Sequence, residues 1–455
     1  MKKVFTLILV ILLNTNINAQ CWKFIATGQA AHTLAIKVDG TLWAWGYNNY
    51  GQLGDGTTID KQFPTQIGAS NNWLSISVGE SHSIAIKVDG TLWAWGHNTK
   101  GQLGDGSNGD KIIPTQIGTA TNWESVAAGS YNSIALKTDG TLWAWGFNYY
   151  GGLGDGSNTD KNIPTQIGNA NNWKSIASGS FHTMAIKLNG TLWAWGYNPD
   201  GELGDGTNID KNIPTQIGSS IDWNAIALGY SHSTAVKTNG TLWAWGNNLK
   251  GQLGDGSNSN KNVPTQIGVA NSWVSNACGS QHTLGVKTDG TLWAWGLNIK
   301  GELGDGTNID KNIPTQIGLN NTWKRISTGH DHSISVRIDG TLWSWGINDK
   351  GELGDATLMD KNIPTLINCP TIGVNELLFN ESYSLFPNPT NNFLFLKNET
   401  NQIFNNIVIT DICGRMILNE NINIYEINVS GLQSGVYFIQ FSVEGKIYQK
   451  KFIKK

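Results

Sequence analysis

Histidine is the side chain best suited to proton chemistry near neutral pH, and in this chain it recurs on a fixed schedule. It stands at His32, His82, His182, His232, His282 and His332, with Asn132 in the remaining place. A ring of imidazoles could hold a metal. Asn fills one position without disturbing the pattern, however, and Asn replaces His as a hydrogen-bonding group better than as a ligand. The column therefore reads as a repeated structural hydrogen bond. Gly201-Glu202-Leu203-Gly204-Asp205-Gly206 has the look of a phosphate loop. It lacks the Gly-Lys-Ser/Thr ending and no helical pattern follows, so turn formation is the better reading. Asp205, Thr207, Asn208 and Asp210 offer oxygens to Ca²⁺, yet their spacing is not that of a hand-type loop. No nucleophile–base pair is unique to one copy, and catalysis needs a unique constellation. The expectation is a protein with no catalytic residue, no metal site and no cofactor.

The elements that carry these residues repeat. Asp-Gly or Asn-Gly followed by Thr-Leu-Trp begins at Asp39, Asp89, Asp139, Asn189, Asn239, Asp289 and Asp339, and a Gly-x-Leu-Gly-Asp loop follows each time. A period of this length is the signature of a modular repeat fold. In the second copy, Trp73 to Val78 is apolar and small, and His82 to Val88 alternates with Ile84, Ile86 and Val88 on one face. Asp89-Gly90 marks a hairpin, Thr91 to Gly96 puts Trp93 and Trp95 on one face, and Ile113 to Ile117 reads as an edge strand containing Pro114. Four short antiparallel strands make one small sheet that must pack on its neighbours. Trp on one face and Ala or Gly on the other suit such stacking. All 21 tryptophans lie within the repeats, and the two in each Trp-x-Trp element are expected in the core. The end copies are as regular as the middle ones, which favours a closed ring over a capped solenoid. The expected fold is all-β: a seven-bladed propeller of four-stranded antiparallel blades, followed by a small Ig-like β-sandwich.

The ends differ in kind. Lys2 and Lys3, the apolar run Val4 to Leu13 and a polar stretch to Ala19 read as a signal peptide over residues 1–19. No other segment is apolar enough to cross a bilayer. The expected propeller covers 21–371, a linker 372–382 and a second domain 383–455. Export permits disulfides, and a closed ring would bring Cys21, just before the first copy, to Cys369, just after the last. Net charge is −3 with no basic stripe, which argues against nucleic acid.

Columns that differ between copies are free to serve a partner. With alternating strand direction, the turn after Gly79 and the loop after Gly96 open on one face, and that face carries most of the divergence. Its aromatic residues, Tyr50, Tyr131, Phe147, Tyr149, Tyr150, Phe181, Tyr197 and Tyr230, are the candidate binding residues. Variable loops on a repeating scaffold are where binding usually sits, and aromatic side chains are favoured anchors. An extracellular protein is the expected partner. A glycan is the runner-up, because Tyr also stacks on sugars. A lyase or hydrolase working in the central channel is a further alternative.

Gly79-Glu80-Ser81-His82-Ser83, Asp89-Gly-Thr-Leu-Trp-Ala-Trp-Gly96 and Gly101-Gln-Leu-Gly104 resemble the regulator of chromosome condensation repeat. That resemblance implies a seven-bladed propeller and leaves function open. The eponymous member is a nuclear guanine-nucleotide exchange factor, and a bacterial relative is a secreted β-lactamase inhibitor, which makes an inhibitor of that kind another alternative. The leader argues against the nuclear role. Residues 383–455 resemble the type IX secretion C-terminal sorting domain. The resemblance rests on Phe386-Pro387-Asn388-Pro389-Thr390, Asp411-Ile412-Cys413-Gly414-Arg415, Val429 to Phe438 with Gly435 and Tyr437, and the ending Lys451-Phe452-Ile453-Lys454-Lys455. It implies recognition of these residues by the type IX machinery, a secreted or outer-membrane-surface product, and a Bacteroidota-type cell.

Overall fold

The computed structural model of the chain describes residues 21–28, 31–369, 383–398, 405–411, 416–420, 426–443 and 446–455. The expected leader 1–19, the linker 372–382, and Gly414 and Arg415 lie outside the described residues. Contacts divide the chain after Cys369 into two units.

The first unit is a propeller of seven four-stranded sheets, each built from consecutive strands. In the second blade these are Trp73–Val78, His82–Lys87, Leu92–Gly96 and Lys111–Gln116, each antiparallel to the one before. The first strands of successive blades touch and so stand innermost around the axis. The last strand, with its Pro, is the outer edge, where a missing N–H costs no ladder bond. Val88 departs from the expected face. The strand ends at Lys87, the Val88 N–H turns to the Asn72 carbonyl, and the side chain points to solvent, while Ile84 and Ile86 are fully buried.

Blades meet tryptophan against small residue, as the alternation demands. Trp95 of the second blade is buried against Leu34, Ile36, Leu42, Ala44 and Leu53 of the first. Its indole N–H donates to the Gln52 carbonyl at 2.9 Å. The same bond recurs at every joint, from Trp145 to the Gln102 carbonyl through Trp345 to that of Glu302. Burying one such indole is worth about 5 kcal/mol gross, from roughly 200 Å² at ~25 cal/mol per Å². The expectation that both tryptophans of each pair are core holds for only one. Trp45, Trp95 and their equivalents are fully buried, whereas Trp93 and most of its equivalents are half-buried. A cation covers the outer ring instead: Lys87 Nζ lies 3.8 Å above the Trp93 centroid, a cation–π contact that lets the ring remain at the surface.

The ring closes without exchanging strands between the ends. Trp45 donates to the Glu352 carbonyl at 2.9 Å, the bond seen at every other joint. Thr27 N donates to Ser327 Oγ at 3.0 Å, and a disulfide joins Cys21 to Cys369 with Cα atoms 6.1 Å apart.

The second unit pairs two sheets over one core. Tyr383–Phe386, Phe393–Asn398 and Glu426–Asn428 form one sheet. Met416–Glu420, Asn405–Asp411, Gly435–Val443 and Lys446–Lys454 form the other, in that spatial order. Leu394, Leu396 and Ile427 from the first pack with Ile407, Ile409, Ile439, Phe441 and Phe452 from the second.

Candidate functional site

Antiparallel order sends two loops of every blade to the same face, and backbone bonds tie them together: His97 N to the Ser81 carbonyl at 2.8 Å, Phe147 N to that of Tyr131 at 2.9 Å. The Asp-Gly turns lie at the other end, where Asp89 Oδ1 accepts from both the amide and the hydroxyl of Thr91.

The longer of the two loops is organised by a buried Asn. Asn198 Oδ1 accepts the Leu203 amide, while Nδ2 donates to Asp205 and to the carbonyls of Thr207 and Ile209. Asp205 also accepts Thr207 N and Oγ1 and pairs with Lys211 at 3.2 Å, and Asp210 accepts the Asn198 amide. The oxygens that resembled a cation or phosphate loop are thus occupied by the loop's own donors. The His column is occupied in the same way. His82 Nε2 bonds the Ser133 hydroxyl of the next blade at 3.0 Å, and Ser133 donates onward to the Gln102 carbonyl. Burial holds these imidazoles neutral, at about 3 for His32, His82, His182, His232 and His332 and about 4 for His282. Asn132 does not reproduce this bond: its Oδ1 accepts from Ser178 Oγ at 3.4 Å and its Nδ2 is buried without a partner.

The eight aromatic candidates meet in one connected array. Tyr131 lies 6.4 Å from Phe147, and Phe147 lies 5.8 Å from Phe181 and 6.0 Å from Tyr150. Tyr150 contacts Tyr149 and Tyr197 at 5.0 and 4.6 Å, and Phe181 reaches Tyr230 at 6.3 Å. Tyr50 joins through His97, at 4.4 Å from Tyr50 and 6.2 Å from Tyr131. His97 went unnoticed in the sequence because it falls outside the repeating His column. Tyr149 is 67% exposed, Tyr230 42% and Tyr50 38%, and the other five rings are half-buried beneath them. The array forms a crescent over the first five blades.

Sequence reasoning also missed what lies at the opening of the crescent. A cavity of about 340 Å³ is lined by Tyr47, Glu80, His330, Asp331, Asp349, Lys350 and Glu352, among others. His330 Nδ1 and Asp331 Oδ2 are 2.7 Å apart. That bond raises the His330 pKa, and it holds Asp331 low although burial alone would raise it. Ser280 Oγ donates to the other Asp331 oxygen at 2.9 Å. Glu80 links cavity and crescent, accepting from Tyr131 Oη at 2.9 Å. Burial, aided by that carboxylate, pushes the Tyr131 phenol up to about 12. A second cavity of about 370 Å³ shares His330 and Asp331 and runs to Tyr230. The divergent pairs Glu80-Ser81 and His330-Asp331 were visible as variable columns. Their meeting was not, because it requires the ring to close.

In the second unit, Asn388 clips the chain end. Its side chain accepts from the Ile453 amide at 2.9 Å and donates to the Lys451 carbonyl at 3.0 Å. Thr390 and Lys455 bond through their backbones, and Lys454 is largely buried. Pro387 and Pro389 follow cis peptide bonds on either side of Asn388. Tyr437, on the Gly435–Val443 strand, stacks on Phe452 at 5.6 Å. Sequence-distant parts of the expected sorting signal thus come together among the described residues.

Comparisons with known proteins agree with this architecture. An RCC1-like domain model matches residues 162–381. Regulator of chromosome condensation (RCC1) repeat models match 39–86 and 89–136, and also 22–52, 73–102 and 123–151. A secretion system C-terminal sorting domain model matches 384–455. Human WBSCR16 superposes with a TM-score of 0.67 at 21% identity, over 74% of this chain and 95% of that one. Yeast RCC1 (Prp20), solved with Kap60, gives 0.65 at 22% over 78% and 87%. At these identities the likeness establishes the fold alone. Two curated relatives match in short segments. Ras guanine nucleotide exchange factor C of Dictyostelium discoideum is 43% identical over 51 residues, which is 11% of this chain and 3% of that protein. Ultraviolet-B receptor UVR8 of Arabidopsis thaliana is 42% identical over 41 residues, 9% of each. Repeats, propeller and tail together place the chain in the regulator of chromosome condensation repeat family, with a secretion system C-terminal sorting domain at its end.

Proposed function

We propose that this protein is a secreted or cell-surface binding module whose propeller engages a protein partner through the aromatic crescent of its variable face. The sorting domain supports secreted or surface placement. A signal peptide at 1–19 would deliver the chain for export, and the Asn388-clipped tail would be read by the type IX machinery. The observation that carries the reading is the connected ring array, from Tyr50 through Tyr131, Phe147 and Phe181 to Tyr230. Tyr and other aromatics supply large contact area at low entropic cost and dominate protein interfaces. Ring geometry favours protein over glycan. Sugars stack on flat, open ring faces, whereas Phe147–Phe181, Tyr149–Tyr150 and Phe181–Tyr230 stand edge to face at 63°, 89° and 81°, presenting a continuous uneven apolar surface.

The test is capture from environmental and host-cell extracts on the exported protein and on its Tyr50→Ser, Tyr149→Ser, Tyr230→Ser variant, with mass spectrometry and glycan analysis of what is retained. These three rings are the most exposed, so the variant should keep the parent's thermal midpoint. A protein held by the parent and lost from the variant supports the reading. Equal capture by both, or retention of a polysaccharide alone, overturns it.

A further inference from the structure

We propose that the mouth of the channel beside the crescent takes a cationic side chain, lysine or arginine, carried by the same partner segment that covers the aromatic rings. This rests on the crescent as the docking face and adds the chemistry of its occupant.

Charge is distributed unevenly over the variable face. At the rim, lysines are neutralised by the next blade: Lys100 by Asp160 at 4.0 Å, Lys250 by Asp310 at 3.9 Å, Lys300 by Asp360 at 3.3 Å. Asp200, in the same column, is held by the side-chain amides of Asn247 and Asn260 at 2.9 Å each. The rim lysines are thus paired, whereas Asp110, Asp200 and Asp210 keep their charge singly along the rim, with no ion-pair partner among the described residues. At the mouth, Glu80, Asp331, Asp349 and Glu352 meet only His330 and Lys350 across one cavity. Asp331 is satisfied internally by His330 and Ser280. That leaves Glu80, which accepts from Tyr131, and Asp349, which is hydrogen-bonded to Glu352, lining the cavity with no ion-pair partner among the described residues, and with Lys350 as the nearby competitor.

A metal does not fit this arrangement. Among the described residues no group of three or more His, Cys, Asp or Glu is close enough to hold one. A guanidinium, with donors spread over several ångströms, can span carboxylates that a metal cannot gather, and an ammonium needs only one of them as its partner. The volume of about 340 Å³ suits a single side chain and falls at the low end of small-molecule sites. Tyr47 in the wall and Tyr131, bonded to Glu80, put aromatic rings beside the carboxylates, a setting that favours cations further. The cavity is also continuous with the crescent. Glu80 joins it to Tyr131 on one side, and His330-Asp331 lead through the second cavity to Tyr230 on the other. A segment with apolar residues on the rings thus places a neighbouring side chain over the mouth.

The experiment titrates the whole exported protein with n-butylamine and n-butylguanidine, the side-chain heads of lysine and arginine, and with n-butanol and butyrate as controls. The readout is the Hε1 proton resonance of His330. The chain has eight histidines, of which all but His97 and His330 are fully or almost fully buried, so the signal is readily assigned. At least one cation should give a saturable shift that neither control reproduces. Glu80→Gln with Asp349→Asn should weaken it at least tenfold, while the amide oxygen introduced by Glu80→Gln still accepts from the Tyr131 hydroxyl. Lys350→Met, which removes the competing cation, should tighten it severalfold. An equal response to butanol, no saturable shift with either cation, or undiminished binding in the double variant overturns the inference. Its failure is separable from failure of the crescent, because partner capture by the Tyr50, Tyr149 and Tyr230 comparison reads the rings alone.

Discussion

One position in the seven blades is filled by Gln52, Gln102, Gly152, Glu202, Gln252, Glu302 and Glu352, and amide and acid fare differently there. Both accept the backbone amide two residues earlier, as Gln52 Oε1 does from Tyr50 N at 2.9 Å and Glu302 Oε2 from Lys300 N at 2.8 Å. The Gln102 and Gln252 amides also find a partner five residues earlier, His97 Nδ1 at 3.3 Å and Asn247 Oδ1 at 2.8 Å, whereas Gln52, with Tyr47 at that place, leaves its Nε2 buried without one. Glu202 and Glu302 have Tyr197 and Leu297 at that place, and their second oxygen is buried without a partner. Burial therefore pushes Glu202 up to about 8 and Glu302 to about 7. The folded pKa of Glu202 lies above the unfolded value, so the folded state holds its proton more tightly. The stability this confers is full below about pH 4.5 and is lost as pH rises through about 8. The buried imidazoles act in the other window. Their folded pKa values are depressed to about 3, so their contribution is full above 6.5 and is lost as pH falls. Comparison at pH 6 and pH 8.5 isolates the carboxyl. Glu202→Gln should gain on the parent by about 1–3 kcal/mol more at pH 8.5 than at pH 6, measured by urea unfolding. A gap that does not change with pH would mean that Glu202 is ionised at both.

At the scale of elements, the joints between blades are made by left-handed glycines closing on the next blade's tryptophan. Gly154 has φ +80°, and a Cβ there would fall 2.7 Å from Trp195 Nε1, the group that donates to the Gly152 carbonyl. Gly168 has φ +60° and open space around it. Both Ala variants bear the left-handed penalty of about 1–2 kcal/mol. Gly154→Ala must also displace a buried indole from its hydrogen bond, adding roughly 1–3 kcal/mol. Urea unfolding should therefore rank Gly154→Ala clearly below Gly168→Ala, and equal losses would mean that the joint repacks freely. The blades themselves were legible in the sequence, because alternation and Asp-Gly turns are local: Ile84 and Ile86 in the core, Asp89 in its turn. The joint was only half legible. Trp opposite Ala announced stacking. The indole-to-carbonyl bond spans 43 residues, and the exposure of Trp93 depends on Lys87, whose strand ends one residue before Val88 turns outward. No periodicity encodes either contact.

At the scale of the molecule, closure decides what the sequence conceals and where the ring is weakest. The crescent was legible because its columns differ between copies. The mouth was not, because Glu80 and Tyr47 meet His330 and Glu352 only when the last blade docks on the first. The same joint is under-bonded. In blades three to seven an Asn side chain clasps the preceding blade, as Asn162 Nδ2 does to the Gly106 carbonyl and Asn362 Nδ2 to that of Gly306. The first two blades have Gln62 and Ile112 at this place, so blade one lacks the clasp on both sides. The disulfide compensates at one of them, tying Cys21, whose carbonyl accepts the Val38 amide, to Cys369 across 348 residues of chain. A link over so long a loop contributes about 2–5 kcal/mol by restricting the unfolded chain. Removing it by Cys369→Ser or by mild reduction should loosen blade one before any other. Hydrogen exchange should accelerate in the strands from Trp22–Thr27 to Lys61–Gln66 while those from Trp173–Ser178 to Lys311–Gln316 keep their protection. Uniform acceleration around the ring would instead mean that the seven blades open as one cooperative unit, with the disulfide stabilising all joints equally and the missing clasps carrying no local weakness.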